Sequence, residues 1–575
     1  MFRRFISATL LFLSASTCTY GQTDYPKNYF SPPLDSDLVV VGTFGEIRPD
    51  HFHTGIDLGT GEMEGWPVKA SADGWISRIK VDSRGFGKAL YITHPNGFVT
   101  VYGHLKSFEE PVASLVRKQQ DKNEVYEVEL FPKKNELKVK KGQIIALSGN
   151  TGNTSGPHLH FEIRDEVTEQ PINPLLFGWN VPDNIAPVLK NLRIFPVREA
   201  GMLDKCDTAI TYEILPTEGL YILNTADFIQ ASGSIAFGFE TVDQIDGSAA
   251  TLGIYTAEFY VDGQLAYQWR MDRLDFDEQR YVNAHIDYLS KVRDGYTIER
   301  CHRLPGNHFS LIYSDTNATG YSIFGDDAAH DLKFIARDFA GNASQIEFQV
   351  IAYSTLFNNP YLPRPEGSVL VSNQKGIAVH KAHLDVTIPN GAVFDNFFYT
   401  DHESKNETLI SSQFRIGNDQ VALGLPITVA IKPNVSVADS LKSKAVVVRM
   451  DDDKRPLALA SYWENDFVTA RTKKFGNYGV MLDTVPPVVT KEYVPADLNT
   501  SRGLIVQYKM KDALSGIKSY RGKIDGKWHL FEYDAKNDLL IADIAHLTQN
   551  REHPVEITAT DQVGNTTIWK SAFWY

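Results

Sequence analysis

Short runs that alternate between polar and apolar residues, separated by glycine-containing turns, dominate the sequence between residues 38 and 180. Residues 89–93, 99–102 and 144–147 are such runs, and Pro95-Asn96-Gly97 is one of the turns. Alternation with a period of two places successive side chains on opposite faces of a strand, and glycine supplies the positive φ of tight turns. The pattern predicts an antiparallel, mainly β domain.

One stretch of this domain departs from the alternation. Residues 111–120 are typical of a helical insertion. After them, residues 124–130 and 137–139 predict a β-hairpin that turns at residues 132–135.

The 575 residues are too many for one hydrophobic core and predict three to five domains at roughly 100–200 residues each. A weak internal repeat supports this division. Asp183-Asn184-Ile185-Ala186-Pro187 opens one copy, and residues 483–487 open the other. Each copy closes with Asp-x-x-Gly-Asn, at 338–342 and 561–565. Between these landmarks, each copy contains a Gly-Ile pair followed by an Asp-Gly pair. In the first copy they lie in residues 253–255 and 261–263, and in the second in residues 515–517 and 524–526. The order predicts two copies of one β-sandwich module, and the copies resemble bacterial immunoglobulin-like domains.

The N-terminal segment 1–21 has the pattern of a secretory signal peptide. Arg3 and Arg4 precede a short apolar stretch, and Thr19-Tyr20-Gly21 fits a small-x-small cleavage site. The apolar stretch is too short for about 30 Å of hydrocarbon, which disfavours an uncleaved anchor, and no later segment has spanning length. We therefore expect an exported protein, in the periplasm, the cell envelope or outside the cell. Lipid attachment at Cys18 is the weaker alternative.

Charge and cysteine content exclude other classes of protein. The formal net charge of −14 becomes −16 without Arg3 and Arg4, because segment 1–21 contains no acidic residue, and this disfavours nucleic-acid binding. Three cysteines exclude a disulfide-dense scaffold and a multi-cysteine zinc module. After loss of Cys18, Cys206 and Cys301 form either a disulfide or two separate thiols, and the sequence favours neither.

Three histidine clusters carry the chemistry of residues 38–180. In His53-Thr54-Gly55-Ile56-Asp57 the residues are poor helix formers, and an extended chain would separate His53 and Asp57 by about 13 Å. Only a bend, which Gly55 can supply, brings the imidazole and the carboxylate together.

The second cluster, His158-Leu159-His160-Phe161-Glu162, alternates like a strand. Its two histidines then share one face about 6.5 Å apart, while Leu159 and Phe161 face a core. Glu162 lies on the histidine side, either as a partner of the site or in a plain salt bridge.

Tyr102-Gly103-His104-Leu105 adds a third imidazole-bearing segment. Two imidazoles and a carboxylate suit Zn²⁺, which keeps a fourth position for water in catalytic sites. The remaining imidazoles would serve as general base and oxyanion stabiliser.

In this order the clusters resemble the lysostaphin/LytM-type zinc endopeptidases, whose pattern is His-x-x-x-Asp, a Tyr-x-His-Leu-like segment and His-x-His. Further similarity lies at Pro67-Val68, at residues 156–162 and at Asn173-Pro174. The resemblance covers residues 38–178, about a quarter of the chain.

This resemblance implies one Zn²⁺ per chain, bound by His53, Asp57 and His160. It implies that His104 and His158 act on the zinc-bound water and the tetrahedral intermediate, without deciding which residue is the base. It also implies a groove on the antiparallel sheet of a duplicated hybrid motif-like fold, with peptidoglycan peptides as substrate. The long stretch between Leu105 and Val139 is expected to extend a groove wall or to cover the site.

The predicted organisation has five segments. They are a signal peptide (1–21), a LytM-type zinc peptidase domain (22–180), an immunoglobulin-like β-sandwich (181–356), a β-rich accessory domain (357–482) and a second immunoglobulin-like β-sandwich (483–575). The C-terminal domains are expected to position the enzyme on wall glycan or protein ligands.

Two hypotheses from other classes remain. A LytM-like module that has lost zinc ligands can regulate other cell-wall hydrolases, although all three ligand positions are filled here. An adhesin-like protein, in which the peptidase domain is incidental, is the third hypothesis.

Overall fold

The computed structural model describes residues 25–35, 38–204, 206–313, 319–354, 364–450, 455–494 and 504–575. The predicted signal peptide and Cys18 lie outside the described residues. Within these ranges the chain forms 42 strands and four α-helices, which confirms the mainly β class. Among the helices in these ranges, none combines the length and the apolar surface needed to cross a bilayer.

A nine-stranded antiparallel sheet is the base of the first unit. The strands of this unit are β1 (Val40–Gly42), β2 (Ile56–Gly59), β3 (Pro67–Lys69), β4 (Gly74–Val81), β5 (Lys88–Thr93), β6 (Phe98–Leu105), β7 (Ser107–Phe108), β8 (Val128–Leu130), β9 (Lys138–Val139), β10 (Ile144–Leu147), β11 (His158–Asp165) and β12 (Pro171–Ile172). The order across the sheet is β1-β2-β11-β6-β5-β4-β8, with β12 on β11 and β9 on β4, while β3-β10-β7 form a small second sheet.

The central position of β11 brings the histidine clusters together. Its neighbours are β2 and β6, and the register places His160 opposite both Asp57 and Gly103. Leu159 and Phe161 are fully buried in the core beneath the sheet, as their alternation predicts. Burial of one face of β11 fixes its register and therefore the direction of both histidines.

The insertion after β7 contains a helix, as predicted, but no hairpin. Helix α1 (Val112–Asn123) covers the expected residues. Strands β8 and β9 do not pair with each other: each adds to a different part of the same edge of β4. The hairpin prediction was wrong because both short strands pair with the unpaired edge of β4 instead of with each other. The local sequence does not show that this edge is available.

A ten-stranded sheet forms the second unit. Its strands are β13 (Val188–Leu203), β14 (Ile210–Thr217), β15 (Leu220–Leu223), β16 (Ile229–Val242), β17 (Thr256–Val261), β18 (Gln264–Arg270), β19 (Glu299–Arg300), β20 (Ser322–Phe324), β21 (Ala329–Arg337) and β22 (Ala343–Ala352). A parallel pair, β16 with β22, joins its two halves. The halves pack face to face, since Phe239 on β16 stacks on Phe334 of β21 with ring centroids 3.8 Å apart. Helices α2 (Val282–His285) and α3 (Tyr288–Arg293) lie between β18 and β19.

Two five-stranded sheets share the core of the third unit. Its strands are β23 (Val369–Val371), β24 (Ile377–His380), β25 (Leu384–Ile388), β26 (Phe397–Tyr399), β27 (Asp401–Ser404), β28 (Gln413–Ile416), β29 (Ile427–Ile431), β30 (Ala445–Met450), β31 (Leu457–Ala458), β32 (Ser461–Glu464), β33 (Phe467–Thr472) and β34 (Gly476–Leu482), with α4 (Asp439–Lys442) before β30. The sheet orders are β24-β25-β29-β33-β32 and β27-β28-β34-β30-β31, and β23 pairs with β26.

Two four-stranded sheets form the fourth unit. Its strands are β35 (Val488–Tyr493), β36 (Ile505–Lys511), β37 (Ile517–Ile524), β38 (Lys527–Trp528), β39 (Glu532–Asp534), β40 (Leu539–Asp543), β41 (Glu552–Asp561) and β42 (Thr566–Trp574). Tyr508 on β36 meets Trp569 on β42 across the core, with ring centroids 5.2 Å apart.

The second and fourth units contain the same four-stranded sheet, as the internal repeat indicates. The order β18-β17-β21-β22 in one corresponds to β38-β37-β41-β42 in the other. In both, the first turn is Asp-Gly with two positive φ values, 49° and 75° at Asp262-Gly263 and 54° and 75° at Asp525-Gly526. In both, the glycine of Asp-x-x-Gly-Asn has a positive φ, at Gly341 and Gly564.

One hydrophobic core runs from the first unit into the second. Phe52, next to His53, is fully buried and lies 5.7 Å from Phe309, measured between ring centroids. The Phe52 backbone N–H donates to Gln279 Oε1 at 2.8 Å. The second unit thus holds the segment that carries the first histidine cluster.

The fourth unit folds back onto the first. Lys88 Nζ pairs with both carboxylate oxygens of Glu532 at 2.9 Å, and Arg521 Nε pairs with Glu124 Oε2 at 2.8 Å. Arg117 of α1 lies over the ring of Trp528. The insertion after Leu105 therefore serves as a contact surface for the fourth unit.

Cys206 and Cys301 are free thiols. Cys301 is buried and burial raises the pKa of its thiol. Of the two alternatives that the sequence left open, a disulfide or two separate thiols, the structure therefore shows separate thiols.

Phe309→Ala should destabilise the chain by ~3–5 kcal/mol, because it opens a cavity in the core shared by the first two units. Urea titration gives this change in the free energy of unfolding. Phe228→Ala in the same unit, where the ring is exposed, should change it by less than about 0.5 kcal/mol. Equal effects of the two substitutions would contradict a shared core.

Candidate metal centre

Three side chains from two neighbouring segments converge at the face of the nine-stranded sheet. His53 Nε2 lies 3.1 Å from Asp57 Oδ1 and 3.0 Å from His160 Nδ1, and His160 Nδ1 lies 2.9 Å from Asp57 Oδ1. The bend that this requires is at Gly55, just before β2 begins. A Cβ at position 55 would lie 2.3 Å from the Phe161 carbonyl oxygen, so the close approach of the chain there needs glycine.

Hydrogen bonds on the far side of each ring fix which nitrogen faces this cluster. His53 Nδ1 lies 2.8 Å from the Thr43 carbonyl oxygen, which can only accept, so this nitrogen carries the proton and Nε2 presents its lone pair. His160 has the opposite arrangement, with Nε2 3.0 Å from Glu162 Oε1 and Nδ1 facing the cluster.

This donor set fits a bound cation. With both rings neutral, the lone pairs of His53 Nε2 and His160 Nδ1 point at each other and at a carboxylate oxygen, a repulsive arrangement that a cation relieves. The separations of 2.9–3.1 Å are close to the ~3.3 Å between ligand atoms of a tetrahedral zinc site. Two imidazoles and one monodentate carboxylate are ligands that Zn²⁺ accepts.

Asp57 divides its two carboxylate oxygens between two tasks. Oδ2 accepts a hydrogen bond from Arg48 Nη2 at 3.0 Å, which leaves Oδ1 directed at the histidines. Burial opposes ionisation of Asp57, but His53, His158 and His160 hold the pKa of its carboxyl well below the ordinary range. The carboxylate is therefore ionised and ready to bind a cation.

Glu162 is a fully buried carboxylate behind His160. It accepts hydrogen bonds from His160 and Thr54 through Oε1 and from Arg164 through Oε2. Burial opposes its charge, but Arg164 and His160 lower its pKa to about 2. Both roles that the sequence left open for Glu162 are present, since it orients the histidine and pairs with an arginine.

The same carboxylates control the charge of His160 in the metal-free protein. Burial disfavours the imidazolium, yet the hydrogen bonds to Asp57 and Glu162 raise the pKa of His160 to about 9. A metal ion must displace this proton to reach Nδ1.

His104 and His158 lie beside the cluster with their rings 4.8 Å apart. His104 Nδ1 lies 2.8 Å from the Thr151 carbonyl oxygen, and His158 Nδ1 lies 2.9 Å from that of Gly156. Both Nδ1 atoms therefore carry protons, and Nε2 of His158 lies 3.5 Å from Asp57 Oδ1. Burial, with the charges of His160 and His158, lowers the pKa of His104 to about 3, so its ring is neutral.

Two contacts at the site have no signal in the sequence. Phe86 stacks on the His160 ring at 4.8 Å, and its carbonyl oxygen accepts from the backbone N–H of His104. His104 has φ 58°, a conformation that non-glycine residues keep only where the surroundings hold it. Phe86 lies in the turn between β4 and β5, and only the fold brings it to the histidines.

The cluster opens into a groove of about 1030 Å³. The first unit supplies most of its wall, including Arg48, His51, Trp66 and residues 153–157, and residues 247–250 of the second unit supply the rest. None of residues 106–138, all described, lines this groove. The expectation that this insertion extends the wall or covers the site was therefore wrong, because the insertion packs against the fourth unit.

Family comparison supports the resemblance seen in the sequence. Residues 51–122 and 126–174 match the family described as Peptidase family M23. The chain therefore contains an M23-type peptidase domain, and the predicted lysostaphin/LytM-type resemblance is confirmed for this part. Residues 368–483 match the family described as Zu5-like domain.

The similarity to individual relatives covers about a quarter of this chain. The DD-carboxypeptidase/endopeptidase Mpg of Neisseria meningitidis serogroup B is 35% identical over 131 residues, which are 23% of this chain and 24% of Mpg. The murein hydrolase activator NlpD of Escherichia coli is 32% identical over 138 residues, 24% of this chain and 28% of NlpD. A zinc-containing peptidase from Vibrio cholerae aligns with 27% of this chain and 41% of its own, at 26% identity and a TM-score of 0.20. The similar segment spans about a quarter of each of these two curated relatives.

Glu162→Gln should lower zinc affinity by ~10–100-fold, since it removes the charge that orients His160 while keeping a similar shape. Competition with a chromogenic chelator measures this affinity. Asp165→Asn, at the far end of the same strand, is the matched control and should leave it unchanged. A Glu162→Gln protein with the affinity of the unsubstituted chain would show that the carboxylate does not act on the site.

Proposed function

We propose that this chain is an exported zinc metalloendopeptidase that hydrolyses peptide bonds in the stem peptides or cross-links of peptidoglycan. The observation that carries the proposal is the convergence of five side chains in the wall of the groove. Three of them can each offer one ligand atom to the same cation, and the rings of His104 and His158 lie beside them with their Nδ1 atoms held by backbone carbonyls. Because peptidoglycan lies in the cell envelope, the proposal also places the protein there.

In this proposal His53, Asp57 and His160 hold one Zn²⁺ per chain. When bound, zinc supplies a Lewis acid for the scissile carbonyl and lowers the pKa of a coordinated water toward about 7. Thr43, Arg48 and Glu162 keep the three ligand atoms directed at the ion.

His104 and His158 would move the proton. A free Nε2 lone pair can accept a proton from the attacking water, and the resulting imidazolium can stabilise the oxyanion or protonate the leaving amine. Both rings are held by a backbone carbonyl at Nδ1, and the proposal does not assign the base and the stabiliser between them.

The groove supports a peptide as substrate. Its volume exceeds that of a single amino acid, and its wall from the second unit consists of Gly247, Ser248, Ala249 and Ala250, whose small side chains leave room for an extended chain. The similarity to Mpg supports peptidoglycan as the source of this peptide. We also propose that the other three units bind wall glycan or protein ligands, but we assign no binding site for these ligands.

The similarity to NlpD favours a second candidate function, in which the chain activates other murein hydrolases without cutting bonds itself. The presence of all three ligand side chains weighs against this alternative, because a module without catalysis has no need of them.

Zinc content and peptidoglycan digestion test the proposal together. We expect one zinc per chain and new free amine ends in digested peptidoglycan, both lost in Asp57→Asn. His158→Ala and His104→Ala should keep zinc and lower the rate by ~10²–10⁴-fold. His51→Ala is the control, since His51 lines the same groove but is half exposed and outside the cluster.

The outcomes separate the alternatives. Zinc-loaded protein that releases no amine ends but accelerates a second murein hydrolase would favour the activator. Protein that binds wall without zinc, cleavage or stimulation would favour an adhesin-like role.

A further inference from the structure

Two groups of three carboxylates lie at equivalent places outside the M23 domain. Asp183, Asp243 and Asp338 form the first triad, and Asp483, Asp512 and Asp561 form the second. In each triad, one oxygen from every carboxylate lies within 4.8 Å of the other two.

The internal repeat builds both triads in the same way. The first aspartate precedes the first strand of its unit, at Asp183 and Asp483. The second follows directly on β16 and β36, at Asp243 and Asp512, and the third begins the Asp-x-x-Gly-Asn turn. Carboxylates held this close repel one another unless a proton or a cation lies among them, and the arrangement occurs twice in the described part of the chain.

An asparagine fixes each triad. Asn342 Nδ2 donates to the Asp183 carbonyl oxygen and to Asp338 Oδ2, at 3.2 and 2.7 Å. Asn565 Nδ2 makes the same two bonds, to Asp483 and Asp561, at 2.9 and 2.7 Å. The carboxylates are thereby held at close range despite their repulsion.

The second aspartate of each triad has one carboxylate oxygen without a donor among the described residues, although Asp512 Oδ2 accepts from the backbone N–H groups of Leu514 and Gly516. Asp243 is 2% exposed, and its Oδ1 has no hydrogen-bond partner among the described residues. Asp512 Oδ1 is likewise a buried atom without a partner in those residues. A buried carboxylate oxygen without a donor is costly unless a cation binds it.

The charges around Asp243 have one sign. Burial, together with the negative charges of Asp338 and Asp183, raises the pKa of Asp243 to about 7, and a backbone hydrogen bond from Gln244 opposes this. Hydrogen bonds from the backbone N–H groups of Gly341 and Asn342 and from Asn342 Nδ2 offset part of the charge of Asp338, but Asp243 Oδ1 is left without a donor among the described residues.

The first triad also has room for a hydrated ion. It lines a cavity of about 500 Å³ between the first two units, together with Phe44 and Trp179 of the first unit. Water molecules in this cavity can complete a coordination shell that three aspartates leave incomplete.

We propose that each triad binds one Ca²⁺, so that the chain carries two calcium ions in addition to the ion of the M23 domain. The donors are all oxygen atoms, which suit hard cations and not zinc. Ca²⁺ takes six to eight oxygen ligands in flexible geometry, whereas Mg²⁺ demands a near-ideal octahedron. Calcium modules outside the cell bind with Kd values of roughly 10⁻⁴–10⁻³ M, and we expect the triads to bind calcium in this range.

The position of the triads gives the ions a structural role. Asp183 lies in the connection between the first and second units, and Asp483 lies in that between the third and fourth. A cation at each triad ties the connection to the body of the following sandwich. Calcium would thus fix the second unit, which supplies part of the groove wall, relative to the histidine cluster.

Calcium counting on the full-length, zinc-loaded chain tests the proposal. After equilibrium dialysis against millimolar Ca²⁺, elemental analysis should find two calcium ions per chain. Asp243→Asn and Asp512→Asn should each leave one, and the double variant none, with zinc content unchanged in all. Asp227→Asn, at an exposed carboxylate of the second unit, is the control and should keep two.

Thermal unfolding gives a second readout, because the double substitution should have different effects on stability with and without calcium. Calcium should raise the Tm of the unsubstituted chain, and the double variant should lose this rise. Without calcium, the same variant should be as stable as the unsubstituted chain or more so, because the substitutions remove repulsion between carboxylates.

If Asp243→Asn does not fold, Asp183→Asn replaces it, since Asn342 is held by the backbone carbonyl of Asp183 and not by its carboxylate. Absence of calcium from the dialysed chain, or two calcium ions retained in the double variant, would overturn the proposal.

Discussion

Each imidazole of the candidate metal centre is held from behind by a hydrogen-bond acceptor, and the rest of the site depends on this constraint. Backbone carbonyls of Thr43, Thr151 and Gly156 hold the Nδ1 atoms of three histidines, and Glu162 holds Nε2 of His160. A neutral imidazole has one donor and one acceptor, so fixing the donor fixes the direction of the lone pair. His53 Nε2, His160 Nδ1 and Asp57 Oδ1 are thereby held within 3.1 Å of one another, an arrangement that favours a cation once His160 has lost its proton.

The surrounding structure holds these hydrogen-bond acceptors in place. Strand β11 lies between β2 and β6, so that the backbone ladder sets the distances among Asp57, His160 and the end of β6. The second unit packs on Phe52 and fixes the segment before β2. Lys536 of the fourth unit donates to Asn150 Oδ1 at 2.9 Å, one residue before the Thr151 carbonyl that holds His104. Units remote in sequence therefore support the same few atoms.

Strong local patterns made parts of the site predictable. Alternation in His158–Phe161 placed two histidines on one face, and the four-residue spacing of His53 and Asp57 required the bend that lies at Gly55. The repeat landmarks anticipated the matching sheets of the second and fourth units, because turn residues with positive φ have few substitutes. The predicted hairpin after α1 and the role of the insertion were wrong, because they depended on which strand edge was open and on which distant surface was near.

The sequence by itself determined the β class, the residues of the three histidine clusters and the faces on which they lie, because period-two alternation and glycine turns act over a few residues. Only the tertiary structure decided which ring nitrogens face the cluster, that Phe86 and Glu162 contact His160, that residues 247–250 complete the groove, and that six aspartates meet in two triads. Most of these features join residues tens to hundreds of positions apart. Their contacts depend on strand order and on the packing of whole units, which no local pattern encodes.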